Sequence, residues 1–443
     1  MQKLLVKASS LKSSEDWWAV WLGLIFLGLI ISGIIPRVPE ILEWRTSLLQ
    51  AIPLSELSAI IIWGIGLFLI WSVAVKIMKN SLKQYSKGFA LLFGIALLAF
   101  LMEANVFIDR IGFGYVLWAV IIGLIISNFL GLPSWLKNAA KTELYIKTGL
   151  VLLGAEILFP RLAVFGAYGM GVAWLVTPIV LIFMFYFGMR IIKGLSSSLG
   201  ITIAAATSVC GVSAAIATAQ ASRARKDELT LALGITMVFT AVMMFLLPFI
   251  LNLVGMDTLV AGALIGGTID ATGAVVVASS ILGEDALHVA ATIKMVQNVL
   301  IGFLAFGVAV AWTVRDKNEG VPADKDVLEE NKNQGRAKDI WDRFPKFIIG
   351  FIFASLIFSF VLLPAWGETQ VEGLLSLVSS TRSWFFALAF VSIGLDTNFV
   401  SLRKVFQGGK PVAFYMFGQA LNIILTLGAA YLFFSGRIFP PPM

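Results

Sequence analysis

The sequence predicts an all-α polytopic membrane protein with about eleven transmembrane helices and two further helical segments that are broken at their centres. Of its 443 residues, 59% are hydrophobic and only 13% are charged, whereas about a quarter of the residues in a soluble domain are charged. Apolar runs long enough to span a bilayer recur along the whole chain. These runs cover 17–35, 57–77, 88–107, 113–132, 143–159, 168–189, 229–254, 287–314, 344–363, 384–400 and 411–435.

The first apolar run, 17–35, follows a basic N-terminus that contains Lys3, Lys7 and Lys12. A secretory signal peptide has a shorter apolar core and a small-residue cleavage site, so this run is expected to remain as a transmembrane helix. Lysines concentrate in the loop 76–87, and basic loops stay in the cytoplasm. The N-terminus, two crossings earlier, is therefore predicted to be cytoplasmic, in a multi-pass protein of the inner membrane.

Composition excludes several classes of function. The chain has one cysteine, Cys210, and one histidine, His288, so neither a disulfide framework nor a His/Cys metal site is expected. No phosphate-binding glycine loop is present, and no nucleophile–base pair indicates an enzyme. The net charge is +7, and the Lys and Arg residues lie between the apolar runs. In these positions they indicate membrane topology rather than nucleic-acid binding. No cofactor and no metal are expected.

The two broken segments are the main pointer to function. Gly200–Ala217 and Gly262–Ala278 are apolar, yet each is interrupted at its centre by glycine, threonine or serine. Broken apolar segments at corresponding places in two halves of a membrane protein indicate the binding site of a transporter.

Charge placement favours re-entrant hairpins for the full segments 196–221 and 258–283. The basic cluster 223–226 would lie outside if the first segment crossed the membrane, and inside if the segment entered and returned. If the two segments are hairpins that enter from opposite faces, the basic residues of the later loops also lie in the cytoplasm. Ordinary or discontinuous crossing helices remain the alternative.

A second internal match indicates an inverted repeat. Leu152–Phe159 resembles Ser392–Phe399, and Gly154 aligns with Gly394. The charge pattern makes the first of these helices run outward and the second inward, which is the signature of inverted-topology repeats. Chance similarity between two apolar helices is the competing explanation.

These features divide the chain into four segments. Residues 1–87 form N-terminal helices that are peripheral to the core, and 88–314 hold the first repeat and the central broken segments. Residues 315–343 are the one long polar loop, predicted to be a cytoplasmic linker, and 344–443 carry the C-terminal helices of the second repeat.

Five motifs resemble the YeiH-like sulfate exporter family, which is grouped with bile-acid symporters and cation–proton antiporters. They are Thr207–Ala217, Arg225–Leu229, Gly267–Gly273, Lys294–Asn298 and Ser392–Thr397. The resemblance covers most of the chain from about residue 88 to 435. It implies an inverted-repeat fold and secondary transport, with sulfate as the substrate.

The broken segments have the chemistry of an anion site. A half-helix that begins at a hairpin tip has unpaired N–H groups and a positive dipole end, and both bind anions. Gly211 and Gly273 allow a close approach to the backbone. Hydroxyl groups that can donate to an oxyanion come from Thr207, Ser208, Ser213, Thr268 and Thr272. The alternative is that small residues only allow tight helix packing.

Charged residues at membrane depth are the candidates for coupling. Asp270 at the second tip would cost roughly 2.5–3.5 kcal/mol to insert as a carboxylate, which indicates a bound H⁺ or Na⁺ unless it only caps a helix. Lys294, with Gln297 and Asn298 on nearly the same helix face, is predicted to bind the substrate. Its ammonium group would be the counter-ion of an oxyanion or of Asp270, unless it snorkels to the interface.

Two more carboxylates, Glu156 and Asp396, occupy matching places in the inverted copies. They are further coupling-ion candidates. Interfacial carboxylates without a transport role are the alternative.

The sequence therefore predicts an elevator-type secondary transporter of a small anion, with sulfate or a related sulfur oxyanion as the first candidate. The substrate would lie between the two tips, and H⁺ or Na⁺ would supply coupling. The lipid bilayer is the expected environment, and a homodimer is a candidate assembly. A cation–proton antiporter that uses Asp270 and Lys294 is the second class. A channel or an intramembrane enzyme is the weaker third.

Overall fold

The computed structural model describes residues 14–109, 114–318, 341, 343–397 and 409–440, and these are almost entirely helical. Within these ranges there is no β-strand, only a single bridge between Trp44 and Asn105. The longer helices are α1 Glu15–Ile31, α2 Leu54–Ile77, α3 Leu82–Glu103, α4 Tyr115–Ile125, α5 Thr142–Glu156, α6 Phe159–Phe183, α7 Ser197–Ser208, α8 Gly211–Ala221, α9 Lys226–Leu253, α10 Thr258–Thr268, α11 Thr272–Ser280, α12 Glu284–Asn318, α13 Phe347–Ile357, α14 Glu368–Asp396 and α15 Lys410–Phe434.

Helices form at all eleven predicted apolar stretches, and in the described part of the chain eight are long and apolar enough to cross a membrane. These eight are α2, α3, α6, α9, α12, α13, α14 and α15, where α6 and α13 are extended by the turns that follow them. The remaining three, α1, α4 and α5, are shorter, so a span by each of them stays a prediction. The protein is thus a helical membrane protein.

Helix α14 begins at Glu368, well before the predicted start at residue 384. Polar residues such as Thr381 and Arg382 lower the hydropathy of this part, but they do not interrupt a helix. The predicted polar linker 315–343 lies mostly outside the described residues, as does the basic N-terminus.

The chain packs as two compact units, each made from separate stretches of sequence. The first unit comprises the residues up to Leu162 together with Lys346–Asn398. The second comprises Ala163–Pro345 together with the residues from Phe399 onward. This division follows packing and does not test the four segments predicted from the sequence, which stay a prediction.

In the first unit, the two aligned glycines allow equivalent helix contacts. A Cβ at Gly154 of α5 would lie 2.2 Å from the carbonyl oxygen of Phe351 in α13. A Cβ at Gly394 of α14 would lie 2.3 Å from the carbonyl oxygen of Val120 in α4. Helix α5, which carries the first copy of the motif, therefore contacts the backbone of α13, the helix before α14. Helix α14, which carries the second copy, contacts the backbone of α4, the longer helix before α5.

Matching π-helical turns lie beside these contacts, at Ile126–Leu130 and Phe358–Leu362. Ser127 in the first turn donates to the carbonyl oxygen of Thr397 at the end of α14 (2.9 Å). Ser359 in the second turn accepts from the N–H of Phe159 just beyond α5 (2.7 Å). Serines at corresponding places thus hold the ends of corresponding helices.

In the second unit, α7 and α8 form a helical hairpin. Ser196 and Ser198 at the start of α7 contact the carboxylate of Glu228 at the start of α9 (2.5 and 3.1 Å). At the opposite end of α7, the tip residue Gly211 packs against Thr236, further along α9. Since α8 leads from this tip back to the start of α9, the chain returns to the level at which it began.

Helices α10 and α11 form the second hairpin. A Cβ at Gly262 would lie 2.9 Å from Ala286 Cα, and a Cβ at Gly266 would lie 2.9 Å from Ala290 Cα. Both contacts advance in the same direction, so α10 and α12 run parallel and start at the same level. Helix α11 between them must return to that level, and the two hairpin bases lie at opposite ends of α9.

Candidate functional site

The two hairpin tips meet inside the second unit. The N–H of Gly211, the first residue of α8, donates to the carbonyl oxygen of Asp270 in the second break (2.9 Å). A Cβ at Gly211 would lie 2.2 Å from Thr236 Cγ2, so only glycine allows this approach. The backbone at the breaks is extended, at Cys210 in the first and Ala271 in the second, which directs the polar groups of both tips into one region.

Side chains cap the carbonyl end of α7. Lys294 donates to the carbonyl oxygen of Val209 (2.6 Å) and to the side-chain oxygen of Gln297 (2.8 Å). Thr177 and Gln297 both donate to the carbonyl oxygen of Ser208, each at 3.0 Å. The ammonium group thus lies at the negative end of the α7 dipole, where a cation is stabilised.

The carbonyl end of α10 is capped by neutral amides. Gln419 donates to the carbonyl oxygen of Thr268 (2.8 Å), and Gln297 donates to that of Gly267 (3.2 Å). Asn422 lies between the hairpins and donates to the carbonyl oxygen of Thr207 (3.1 Å). These bonds satisfy carbonyl groups that a helix end leaves without intrahelical partners.

The amino ends of the half-helices differ between the surface and the interior. Ser196 caps α7 through Leu199 N, and Asp257 caps α10 through Leu259 N and Val260 N. In the described residues, the side chains of Cys210 and Ala271, which precede α8 and α11, make no capping hydrogen bond to the inner half-helices. Two helix amino ends without side-chain caps therefore lie together at the tips.

Asp270 is only 2% exposed, and the hydroxyl of Tyr415 donates to its Oδ2. Lys294 is 1% exposed. Among the described residues these two charged groups form no ion pair, and the lysine instead serves the backbone of the first hairpin. The buried acid and the buried base thus belong to different tips.

The predicted hydroxyl groups are used in different ways. Thr207 and Thr268 donate to carbonyl groups of their own helices (2.8 and 2.6 Å), so their hydroxyl hydrogens are engaged. The hydroxyl of Ser208 is buried without a hydrogen-bond partner. Thr272 accepts from the Asn298 amide (3.2 Å).

Ser213 and Gly273 lie in the first turns of the two uncapped half-helices. Ser213 in α8 is exposed, whereas Gly273 in α11 is buried. Gly211 has its N–H engaged by Asp270, so this group is not available to a substrate.

Two predicted coupling residues belong to the first unit. Glu156 forms a bidentate ion pair with Arg382 (2.7 and 3.0 Å). Asp396 accepts from the hydroxyl of Thr142 (2.9 Å). The structure therefore gathers Asp270 with the hairpin residues and places Glu156 and Asp396 elsewhere.

Sequence reasoning missed the contribution of α15. Tyr415, Gln419, Asn422 and Thr426 are buried polar residues, and their spacing of four, three and four places them on one helix face. Thr426 donates to the side-chain oxygen of Asn422 (3.0 Å). A search for polar residues at helical spacing inside an apolar run would have found this face.

The fold and the site define a polytopic helical membrane protein whose buried polar site is built on two touching helix breaks. The chain belongs to the family described as conserved hypothetical protein 698, whose model matches residues 87–414.

Relatives in several bacteria are UPF0324 membrane proteins. One from Nitratidesulfovibrio vulgaris is 49% identical over 85% of this chain, and the chain spans 64% of that relative's length. One from Rhodopirellula baltica is 44% identical over 89% of this chain and 71% of its own. One from Nitrosomonas europaea is 28% identical over 98% of both. No solved structure matches the chain. The names of these relatives state no substrate.

Proposed function

We propose that this protein is a secondary active transporter of a small oxyanion, with sulfate or a related sulfur oxyanion as the first candidate and H⁺ or Na⁺ as the coupling ion. The observation that carries the proposal is the meeting of two uncapped helix amino ends in the interior of a membrane protein. Such ends bind anions through free N–H groups and the positive end of the dipole. The resemblance to YeiH-like sulfate exporters supports the same substrate class.

The amino end of α8 is the better of the two for an anion. Ala214 N makes the first intrahelical bond, to Cys210 O (2.9 Å), so the N–H groups of Val212 and Ser213 precede it. Ser213 is exposed, and no acidic residue lies in this first turn. Lys294 adds a positive charge at Val209 O, one residue before Cys210. Asp270 places a carboxylate two residues before α11, and its Cβ also lies near the start of α8, 3.2 Å from where a Cβ at Gly211 would be.

The hairpins also suit alternating access in the inner membrane. Helix α7 has 12 residues, about 18 Å at 1.5 Å per residue, which reaches the middle of a hydrocarbon core of about 30 Å. We propose that the hairpins enter from opposite faces, with the N-terminus cytoplasmic. The equivalent contacts of Gly154 and Gly394 support an inverted repeat. Elevator-type movement of the hairpin-bearing unit would expose the site alternately.

A Ser213→Asp variant tests the anion site. A carboxylate in the first turn stabilises a helix but repels an anion bound there, so folding should be preserved. Uptake of labelled sulfate, sulfite and thiosulfate into proteoliposomes should fall by about tenfold or more, equivalent to about 1.4 kcal/mol of binding energy. Ser213→Asn is the neutral control, and Thr258→Asp adds the same charge to the exposed first turn of α10.

Unchanged uptake by Ser213→Asp, or transport of no oxyanion by the unaltered protein, would contradict the proposal. The second candidate, a cation–proton antiporter, is favoured by the buried carboxylate of Asp270. It predicts that Na⁺ addition alone changes the internal pH of vesicles that contain no oxyanion. It also predicts that Asp270→Asn abolishes this response.

A further inference from the structure

Both hairpin tips consist of a helix carbonyl end followed by an extended break, but different groups bond to the two carbonyl ends. At the first tip, the carbonyl end of α7 receives the ammonium group of Lys294 at 2.6 Å from Val209 O. At the second tip, the carbonyl end of α10 receives the neutral amides of Gln297, Gln419 and Asn422. Both carbonyl ends carry the negative end of a helix dipole, but within the described part of the chain only that of α7 is hydrogen-bonded to a cationic side chain.

The second tip also holds oxygen atoms that accept no hydrogen bond. Gln419 uses its NH₂ group on Thr268 O, and Asn298 uses its NH₂ group on Thr272 Oγ1. Their side-chain oxygens, Gln419 Oε1 and Asn298 Oδ1, are buried and accept no hydrogen bond from any described residue. The two residues are 6% and 4% exposed. A buried polar atom without a partner is destabilising, because it has lost its hydrogen bonds to water.

The amide groups that carry these oxygens bond to Thr268 and Thr272, on either side of Asp270 in the sequence. Asp270 lies between Thr268 and Thr272, and Tyr415 donates to one of its oxygens. Tyr415 and Gln419 are one turn apart on α15, so they approach the break from the same helix face. A carboxylate and two amide oxygens are oxygen-only donors, the type that hard cations prefer.

We propose that the break at 269–271 binds a sodium ion, with the Asp270 carboxylate as its charged ligand and the side-chain oxygens of Gln419 and Asn298 as neutral ligands. A single carboxylate balances a monovalent ion, whereas a divalent ion beside the nearby Lys294 would leave excess positive charge in the interior. Interrupted helices of membrane transporters bind Na⁺ through unwound carbonyls and half-helix carboxyl ends. The inference rests on the proposed function, for which it names the coupling ion, and it separates an anion at the first tip from a cation at the second.

Binding of ²²Na⁺ to purified protein, without any oxyanion, tests the site. We expect saturable binding that K⁺ and choline compete for poorly, and a rise in melting temperature with NaCl relative to choline chloride at equal ionic strength. Asp270→Asn should reduce the affinity for Na⁺ by about tenfold or more, the loss of at least 1.4 kcal/mol, and Gln419→Leu should reduce it by less. Asp257→Asn is the matched control, because it makes the same change at the other end of α10, where asparagine also caps a helix.

Asn298→Asp keeps the inference testable if Asp270→Asn fails to fold. The hydroxyl of Thr272 can turn to donate to the new carboxylate, so the fold is retained and the affinity for Na⁺ should rise. Equal effects of Na⁺, K⁺ and choline on the unaltered protein, or unchanged ²²Na⁺ binding by a folded Asp270→Asn variant, would overturn the sodium site. Oxyanion exchange measured at saturating Na⁺ on both sides of the membrane reports the proposed function separately, and Ser213→Asp should lose that exchange while it retains ²²Na⁺ binding.

Discussion

At the scale of single residues, the site depends on which partner each buried polar group has. Lys294 and Asp270 are natural partners by charge, yet Lys294 donates to Val209 O while Tyr415 donates to Asp270. A buried charge without hydrogen bonds is costly, and each of these groups obtains them from a different element. The two charged groups are therefore held by different elements, although the tips touch where Gly211 N donates to Asp270 O.

Gly211 provides the sharpest residue-scale prediction. A Cβ there would lie 2.2 Å from Thr236 Cγ2, and overpacking of this kind costs about 1–3 kcal/mol. Gly211→Ala should therefore lower the melting temperature of the purified protein. Adding Thr236→Ser removes the clashing methyl group but keeps a hydroxyl, which donates to Ala232 O in the parent protein (2.9 Å), so it should restore most of the loss.

Gly307→Ala is the control for this series, since a Cβ at Gly307 meets nothing within 4 Å and alanine favours the helix. If the double variant melted no higher than Gly211→Ala, steric contact with Thr236 would not be the reason for glycine at this position.

At the scale of helices, the outer and inner half-helices differ in how their amino ends are capped. The outer ones begin at the surface with Ser196 and Asp257 as side-chain caps. The inner ones begin in the interior at Cys210 and Ala271, which supply none. Uncapped ends are costly unless something else satisfies them, which supports the proposal that a ligand binds at the interior ends.

Removal of a surface cap should affect stability and leave substrate binding unchanged. The Asp257 carboxylate accepts from Leu259 N (3.0 Å) and Val260 N (3.2 Å), and loss of such a cap costs about 0.5–2 kcal/mol. Asp257→Ala should therefore melt earlier, whereas Asp257→Asn should not. The measurement is the melting temperature together with oxyanion and ²²Na⁺ binding. A loss of binding by Asp257→Ala beyond that explained by unfolding would show that the outer cap also acts on the site.

At the scale of the whole molecule, the hairpin geometry has a direct consequence for topology. The two hairpin bases lie at opposite ends of α9, whose 28 residues are long enough to cross a membrane. Both ends of the first hairpin should therefore be on one side of the membrane, and both ends of the second on the other. Basic residues near the first base favour the cytoplasm for that side.

Cysteine labelling tests this topology in a Cys210→Ala background, which removes the one native cysteine. Lys193→Cys and Lys226→Cys flank the first hairpin and are expected to react only with a reagent supplied from the cytoplasm. Thr258→Cys and Asp285→Cys flank the second and are expected to react only from outside. All four positions are exposed. Opposite sidedness of positions 193 and 226 would show that the first segment crosses the membrane.

The sequence by itself determined the helical membrane class, the approximate position of most helices and the regions in which two helices break. These features follow from local properties, namely runs of apolar side chains and clusters of small residues. It also singled out Asp270, Lys294, Gln297 and Asn298, because polar groups within apolar runs are visible without any structure.

Only the tertiary structure decided which of these groups meet. Tyr415 approaches Asp270 across 145 positions of sequence, and the Lys294 ammonium caps a carbonyl 85 positions away. Contacts of this kind depend on how helices pack, and a one-dimensional hydropathy pattern contains no information on which buried face of one helix lies against which break of another. The role of α15 and the assignment of opposite charges to the two tips therefore follow from packing alone.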